Sequence, residues 1–521
     1  MPIKLNTYLY ALSLVLGIVL IWIAPHSPLT DLPQHAAQVA LLKDILLGQS
    51  KWHTFFNINM FTPYLASYSL ATILALFMPV TVAFQLLLTA GYLAFVGMCI
   101  KLRQYFEVDS RLDWLFVLPF FGFAYQWGFV SFVLSAPIGL WFILLANRHA
   151  QQTNPWHAIK LFFVGFLLLE SHGLMFLFAF GVGGLLLVIY SKSIKCFIRG
   201  LAPYLILALT FTVIFFINLH LNSKLGLNEY TLKSSNQNAE WWNFISKTAN
   251  QLVPRLDQGL RYTLVSNESG FSLMMHLPVL ILLLASPWLL GLRIHLDRLC
   301  PKLIFIATLG VFVFIPDYIL GTAYVYQRFA LFVIPGYAFL FAANTSHKRN
   351  SYNPGLISKV VMLLLPLACW AILGLNIYNA NNFRHESEAI DTIIAKLEPN
   401  QKALALIFDY DSDANNHSNA YSNYASWYQA EKHGLVDFNF AYFAPMVVRY
   451  KPDHLSAIPD ELNPYDFDWI KHRGSDYRYF FVRNPAQGEV SADLFKHAPC
   501  KPVVFAKKDR WTVYEYKGCN P

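Results

Sequence analysis

TYLYALSLVLGIVLIWIA, residues 7–24, contains no charged residue, and it runs straight into Pro25, Pro28 and the polar cluster Thr30-Asp31-Leu32-Pro33-Gln34-His35. An apolar run of about 20 residues is long enough to cross the ~30 Å hydrocarbon core of a bilayer. Lys4 precedes the run, and no small-x-small cleavage site occurs before Pro25, so it reads as an uncleaved anchor with a cytoplasmic amino terminus. Further runs centre near 81–101, 112–125, 127–147, 158–170, 172–190, 199–220, 271–291, 302–320, 326–344 and 357–379, which predicts about eleven crossings.

Composition agrees. Charged residues make up 13% of the 521, where soluble domains carry about 25%, and apolar residues make up 56%. Such a surface excludes an ordinary water-soluble enzyme and a disordered chain. The formal charge of +8 is spread over short loops between apolar runs, where Lys and Arg set topology. The basic face interleaved with aromatics that nucleic-acid binding needs is absent.

Three basic loops fix the expected orientation: Lys192, Lys195 and Arg199; Arg293, Arg298 and Lys302; and His347, Lys348, Arg349 and Lys359. They keep Lys101, Arg103, Arg111, Arg148 and Lys160 inside only if the apolar stretch 64–80 does not cross. That stretch therefore reads as a re-entrant or interfacial helix within a long first outer loop, 25–80. Odd parity puts everything beyond Tyr378 outside. Composition changes there: residues 379–521 hold 16 basic and 19 acidic side chains, against 23 and 12 upstream. The predicted architecture is a polytopic α-helical membrane domain, 1–379, and a soluble extracytoplasmic α/β domain, 380–521. In the latter we expect helices over Glu386–Leu397 and Tyr424–His433, and strands over Ala403–Phe408, Tyr477–Val482, Val503–Ala506 and Trp511–Tyr516 around a Lys507-Lys508-Asp509 turn. Of six cysteines only Cys500 and Cys519 fall outside, flanking that hairpin, and they are the candidate disulfide.

Four groups of residues carry candidate chemistry. Thr30 or Asp31 can cap a helix that tolerates Pro33 in its first turn and ends at Gly48, and His35 follows Asp31 by one turn. The plain reading is a cap beside a solvated histidine; the functional one is a carboxylate at the membrane surface that takes a proton from a hydroxyl. Glu170-Ser171-His172 interrupts an otherwise apolar hairpin, and an ionisable pair at that depth needs a wet cavity or a partner. It is either turn chemistry or two ligands of a divalent cation. Asp317 to Arg328 forms an outer turn in which Arg328, with Asp317 and Tyr326 beside it, can grip a phosphate by paired hydrogen bonds or simply snorkel. Asp409, Asp411 and Asp413 alternate like a cation loop but lack the glycine and distal glutamate of an EF-hand. The outer loop 221–269, with Trp241, Trp242, Lys247, Arg255 and Arg261, is long enough to cover a cavity. No dinucleotide fingerprint, Walker A, HExxH or GxSxG context occurs.

An acid just after the first span, a long first outer loop containing Thr62-Pro63-Tyr64-Leu65, hairpin tips with Glu170 and His172, Arg328 at a later mouth and an outer carboxyl-terminal domain together resemble the GT-C superfamily of membrane glycosyltransferases, such as protein O-mannosyltransferases and lipid A aminoarabinose transferases. The likeness implies a bacterial inner-membrane enzyme of the cell envelope. It would move a sugar from a polyprenyl-phosphate donor to a periplasmic lipid, glycan or protein acceptor, with inversion at the anomeric carbon. It implies Asp31 as base, Glu170 as a second catalytic acid, and His35, His172, Asp317, Tyr326 and Arg328 on substrate, with Glu170 and His172 as ligands of a divalent metal. Leu32 stands where many members have a second acid, and Tyr125-Gln126-Trp127 where many have another. Two other classes fit the same residues: a lipid or glycan transporter or flippase, and a noncatalytic envelope assembly protein. The four residues Asp31, Glu170, His172 and Arg328 are expected to face one outward cavity.

Overall fold

Length and apolarity decide the helices. The computed structural model describes residues 3–224, 252–265, 270–294, 298–319, 322–342, 355–414, 419–443, 445–458, 462–490 and 492–519. In chain order these form α1 (Ile3–Trp22), α2 (Leu32–Leu46), β1 (Phe56–Ile58), α3 (Leu65–Ala75), α4 (Val80–Tyr105), α5 (Phe123–Gln126), α6 (Val130–Gln151), α7 (Pro155–Ser171), α8 (Gly173–Tyr190) and α9 (Ile194–Lys224). There follow α10 (Gly270–Leu289), β2 (Arg293–Ile294), α11 (Leu299–Phe314), α12 (Val333–Ala338), β3 (Phe341–Ala342) and α13 (Leu356–Lys396). The carboxyl-terminal part contains β4 (Lys402–Ile407), α14 (Ser426–Lys432), β5 (Leu435–Asp437), β6 (Val448–Tyr450), β7 (Tyr479–Arg483), β8 (Val503–Lys508) and β9 (Trp511–Glu515). Among the described residues, six helices are long and apolar enough to cross a membrane: those beginning at Leu5, Val80, Val130, Gly173, Ile194 and Leu356. The protein is a polytopic membrane protein.

Two of the eleven expected spans are not continuous helices. Residues 110–126 fold as short 3-10 segments, Ser110–Phe116 and Pro119–Phe121, followed by the single turn α5. Residues 327–338 likewise begin as a 3-10 segment, Gln327–Phe332, before α12. Pro119 and Pro335 lack an amide to donate, and Gly122 sits where a Cβ would meet the Tyr262 and Thr263 carbonyls at 2.6 Å. Both segments are largely buried in protein, with Leu112, Leu115, Phe116, Phe120 and Ile334 fully inside. Irregular backbone is tolerated at membrane depth only where protein covers it. By contrast α9 leaves Leu205, Leu209 and Phe216 more than half exposed, as a lipid-facing helix does. Continuous apolarity has two physical causes, and hydropathy does not separate them. The residues Trp241, Trp242, Lys247, His347, Lys348 and Arg349 lie outside the described residues.

The chain forms two units. One draws on Met1–Trp22, Leu87–Ile217 and Leu227–Ile377; the other on Ile23–Leu86, Asn218–Gly226 and Tyr378–Pro521. In the first, α6 packs against α7 and α8. Gly183 allows this close approach, since a Cβ there would lie 2.9 Å from that of Ala146.

The second unit is built on a five-stranded sheet of order β5-β4-β7-β9-β8, parallel through β5-β4-β7 and antiparallel beyond. Leu404, Leu406, Phe480 and Val482 alternate onto one face, where Trp469 and Phe495 cover them. The β8–β9 hairpin turns at Asp509, whose φ is +50°, and Cys500 is bonded to Cys519 across its base. Helix α13 continues without a break from apolar sequence into charged sequence, since no proline or glycine occurs between Ile377 and Lys396. Residues 23–86 join this same unit: β1 pairs antiparallel with β6, and α2 packs on α14.

His26 fastens that segment. Its Nδ1 lies 3.0 Å from Asp391 Oδ1 and its Nε2 2.6 Å from Glu431 Oε1, while the ring stacks on Trp427 at 4.3 Å. Both nitrogens face carboxylates, so both carry protons and the ring is a cation. Burial opposes that charge, but the hydrogen bonds and fields of Asp391 and Glu431 outweigh it and push the pKa from 6.5 up to about 9. The folded value is the higher one, so the contribution is complete below pH 6.5 and is lost as pH rises through about 9. Thermal unfolding of the purified protein should show stability falling over this window with a His26 component of about 1.4 kcal/mol per pH unit. That component should vanish in His26→Gln; an unchanged slope in the variant would refute the assignment.

Candidate functional site

Asp31 closes the short link between α1 and α2. It occupies the N-cap position, yet its φ and ψ of −94° and −9° are helical and its side chain makes no capping bond. The expected cap is thus replaced by a tertiary contact. Asn423 Nδ2 donates to Asp31 Oδ1 at 3.1 Å and to the Thr30 carbonyl at 3.1 Å. Asn423 is in turn positioned by Gln34, whose Nε2 donates to Asn423 Oδ1 at 3.2 Å and to the Phe438 carbonyl at 3.1 Å, while its Oε1 accepts from Phe440 N at 3.1 Å. Gln38, one turn on, repeats the device: its Nε2 donates to the Val448 carbonyl and its Oε1 accepts from Val448 N, both at 3.2 Å. Buried backbone needs such partners. α2 is therefore a helix with a carboxamide row that reads the 438–448 backbone, and the candidate base stands at its head.

His35 is buried, not solvated. Its Nδ1 lies 2.6 Å from Tyr68 Oη, and its ring meets Phe440 edge-on at 5.3 Å. Tyr68 belongs to α3, the helix inside the stretch 64–80, so His35 links α2 to α3. Asp44, near the end of α2, receives His433 Nδ1 at 2.5 Å.

In the first unit, Glu170 stands in the last turn of α7 and His172 is the extended residue, φ −167°, between α7 and α8. Glu170 Oε2 is buried with no hydrogen-bond partner among the described residues. His172 is buried and meets Phe132 edge-on at 5.2 Å. Two donors make no metal site by themselves, and among the described residues no group of three or more His, Cys, Asp or Glu side chains gathers for a cation.

Arg328 is buried over the face of Phe129, 3.5 Å from the ring centroid, and donates from Nη2 to the Ala323 carbonyl at 2.9 Å and from Nε to that of Tyr324 at 3.3 Å. Tyr324 holds a left-handed φ of +55° and packs on Trp127 at 4.3 Å. Asp317 closes the same turn: its carboxylate accepts from the Gln327 side chain and its carbonyl from Val325 N at 2.9 Å. Arg255, from the long loop, lies over Tyr326 at 3.9 Å, and Tyr326 Oη donates to Gln258 at 2.8 Å. The Asp409 loop is neutralised by arginine: Arg483 and Arg510 both pair with Asp409, and Arg510 also holds Asp413 at 2.9 Å.

Asp31 and His35 thus belong to one unit, and Glu170, His172, Asp317, Tyr326 and Arg328 to the other. The sequence carries no sign of Tyr68 or Asn423 as partners of the Asp31 segment. A faint signal exists only in Gln34 and Gln38, whose spacing of four puts two carboxamides on one helix face.

No protein-family model and no curated protein matches this chain. Among solved structures it is similar to the cryo-EM structure of the arabinofuranosyltransferase AftD from Mycobacteria, at 14% identity and a TM-score of 0.49, over 99% of this chain and 42% of that one. The present chain therefore spans about two fifths of that protein's length.

The carboxamide row makes a direct prediction. Gln38→Leu keeps the side-chain volume and strands both backbone groups of Val448, each at a cost of about 1–3 kcal/mol. Unfolding in detergent should register the loss, and a variant as stable as the parent would show that water replaces the carboxamide.

Proposed function

We propose that this protein is a membrane glycosyltransferase that transfers a sugar from a polyprenyl-phosphate donor to an extracytoplasmic hydroxyl acceptor, with Asp31 as the general base. The observation that carries the reading is Asp31 itself: a carboxylate placed directly after a membrane-spanning helix and oriented by the Asn423–Gln34 carboxamide pair. A base held in one orientation by a satisfied partner is what proton abstraction requires.

The chemistry balances without a nucleotide. The acceptor O–H gives its proton to the Asp31 carboxylate, its oxygen forms the new bond at the anomeric carbon, and the bond from that carbon to the phosphate oxygen breaks. The polyprenyl phosphate departs with the electron pair. Displacement from the opposite face inverts the anomeric configuration. Arg328 is the candidate for the charge growing on the phosphate, since preorganised donors at a developing anion lower the barrier. Its guanidinium is already oriented by Phe129 and two carbonyls. Glu170, His35, His172, Asp317 and Tyr326 remain candidates for substrate contact. The polyprenyl tail would be accommodated by the apolar membrane-spanning part, and a periplasmic location of the second unit follows from the same reading.

Asp31→Asn separates the classes. With radiolabelled polyprenyl-phosphate sugars and membrane extract as acceptor, transfer should fall by roughly 10²–10⁴ while donor binding persists. Full transfer by the variant would end the assignment. Arg328→Lys keeps the charge but not the planar fork, so it should weaken donor binding or turnover about tenfold or more; equal rates would remove Arg328 from the phosphate site.

A further inference from the structure

Helix α3 has two faces, and only one of them is covered. Tyr68, Ala71, Thr72 and Ala75 are buried, and on that side the helix packs against α2, with Tyr68 Oη 2.6 Å from His35 Nδ1. The other side is apolar and open. Leu70 and Ile73, with Leu76 in the turn that follows, are each about half exposed, and Phe77 is 80% exposed. Positions 70, 73 and 77 keep the i, i+3, i+7 spacing of a single helical stripe. Met60 and Phe61, just ahead of α3, are more than half exposed as well. Large apolar side chains gathered in this way mark a contact surface.

Three observations choose the occupant. No Asp, Glu, Lys or Arg occurs between Lys51 and Lys101, so no such charge ties this stretch to water. Its chain runs directly into a membrane span: only Met78 and Pro79 separate Phe77 from Val80, where α4 begins. Ahead of α3, Asn218 Nδ2 donates to the Phe61 carbonyl at 2.5 Å, and Asn218 lies in the last turns of another spanning helix, α9. Both ends of the segment are thus fixed at the depth where spanning helices leave the bilayer. The 11 residues of α3 reach about 16 Å, roughly half of the ~30 Å hydrocarbon core, so the helix is too short to cross.

We propose that the open face of α3, with Met60 and Phe61, docks into the hydrocarbon of the adjoining lipid leaflet. The inference goes beyond the glycosyltransferase reading and does not depend on it. Its consequence for the candidate site is positional: through the Tyr68–His35 contact, the leaflet sets the height of α2 and of Asp31 at its head. Because the face carries no cation, its attachment is hydrophobic and indifferent to anionic headgroups, unlike that of lysine-rich interfacial helices.

The test uses the full chain in lipid nanodiscs, with a nitroxide on one introduced cysteine in a Cys196→Ser background, since Cys196 is the one exposed free thiol among the described residues. Power-saturation EPR compares access to oxygen, which concentrates in hydrocarbon, with access to a water-soluble nickel chelate. Labels at Ile73→Cys and Phe77→Cys should match one at Leu209→Cys on the exposed side of α9. Their oxygen-to-nickel ratio should exceed that at the exposed Lys496→Cys by about threefold or more. The ratio should be the same in phosphatidylcholine as in equal parts of phosphatidylcholine and phosphatidylglycerol. If Ile73→Cys fails to fold, Leu70→Cys samples the same face. A ratio equal to that at Lys496→Cys means a wetted surface, and shielding from both reagents means a protein partner or a second copy; either result overturns the proposal. So does a depth reached only with phosphatidylglycerol present. Sugar transfer plays no part in the measurement, so the docking surface and the proposed activity fail separately.

Discussion

Two glutamine carboxamides, one helical turn apart, hold the second unit together. Gln34 and Gln38 each donate to a backbone carbonyl and accept from a backbone amide in the segment 438–448. Loop backbone inside a protein must be satisfied, and an amide side chain, with its NH₂ and its carbonyl oxygen, can act as donor and acceptor to the same stretch of backbone at once. Because α2 is nearly all buried, these bonds form away from competing water, where they are strongest and where their loss is most costly. The position of Asp31 follows from this docking, since Asn423, which orients it, is itself oriented by Gln34.

The segment 23–86 is consequently not a loop in the structural sense. β1 adds to β6, His26 pairs with Asp391 and Glu431, and Asp44 pairs with His433, so that charge pairs, strand pairing and carboxamides all tie it to residues beyond 378. The two segments lie far apart in the chain, and closing so long a loop costs entropy that only many simultaneous contacts offset. The same reasoning explains why His35 and Asp44 are occupied with neighbours and not exposed to solvent.

Hydropathy was informative where the environment is lipid and misleading where it is protein. α4, α6, α8 and α9 match their apolar runs, and β4, β7, β8 and β9 match their alternating ones to within a few residues. The runs at 112–125 and 326–344 did not become continuous helices: the first holds Pro119 and Gly122 and stays short 3-10 segments with the single turn α5, the second begins as a 3-10 segment before α12, and surrounding protein supplies the burial. The helix anticipated over Glu386–Leu397 is the end of α13, since nothing in the sequence stops it.

The sequence by itself determined a membrane protein with repeated spans, a change of composition after residue 378, a strand-rich end and the presence of Asp31, Glu170, His172 and Arg328 near the ends of apolar runs. These are properties of single segments, set by length, period and charge. Tertiary structure decided that Asp31 is held by Asn423, that His35 is a buried link to Tyr68, that Arg328 lies on Phe129, and that Asp409 and Asp413 are met by arginines. Each of those contacts joins residues with no periodic relation to one another, and a hydrogen bond or ion pair carries no trace in the local pattern of either partner.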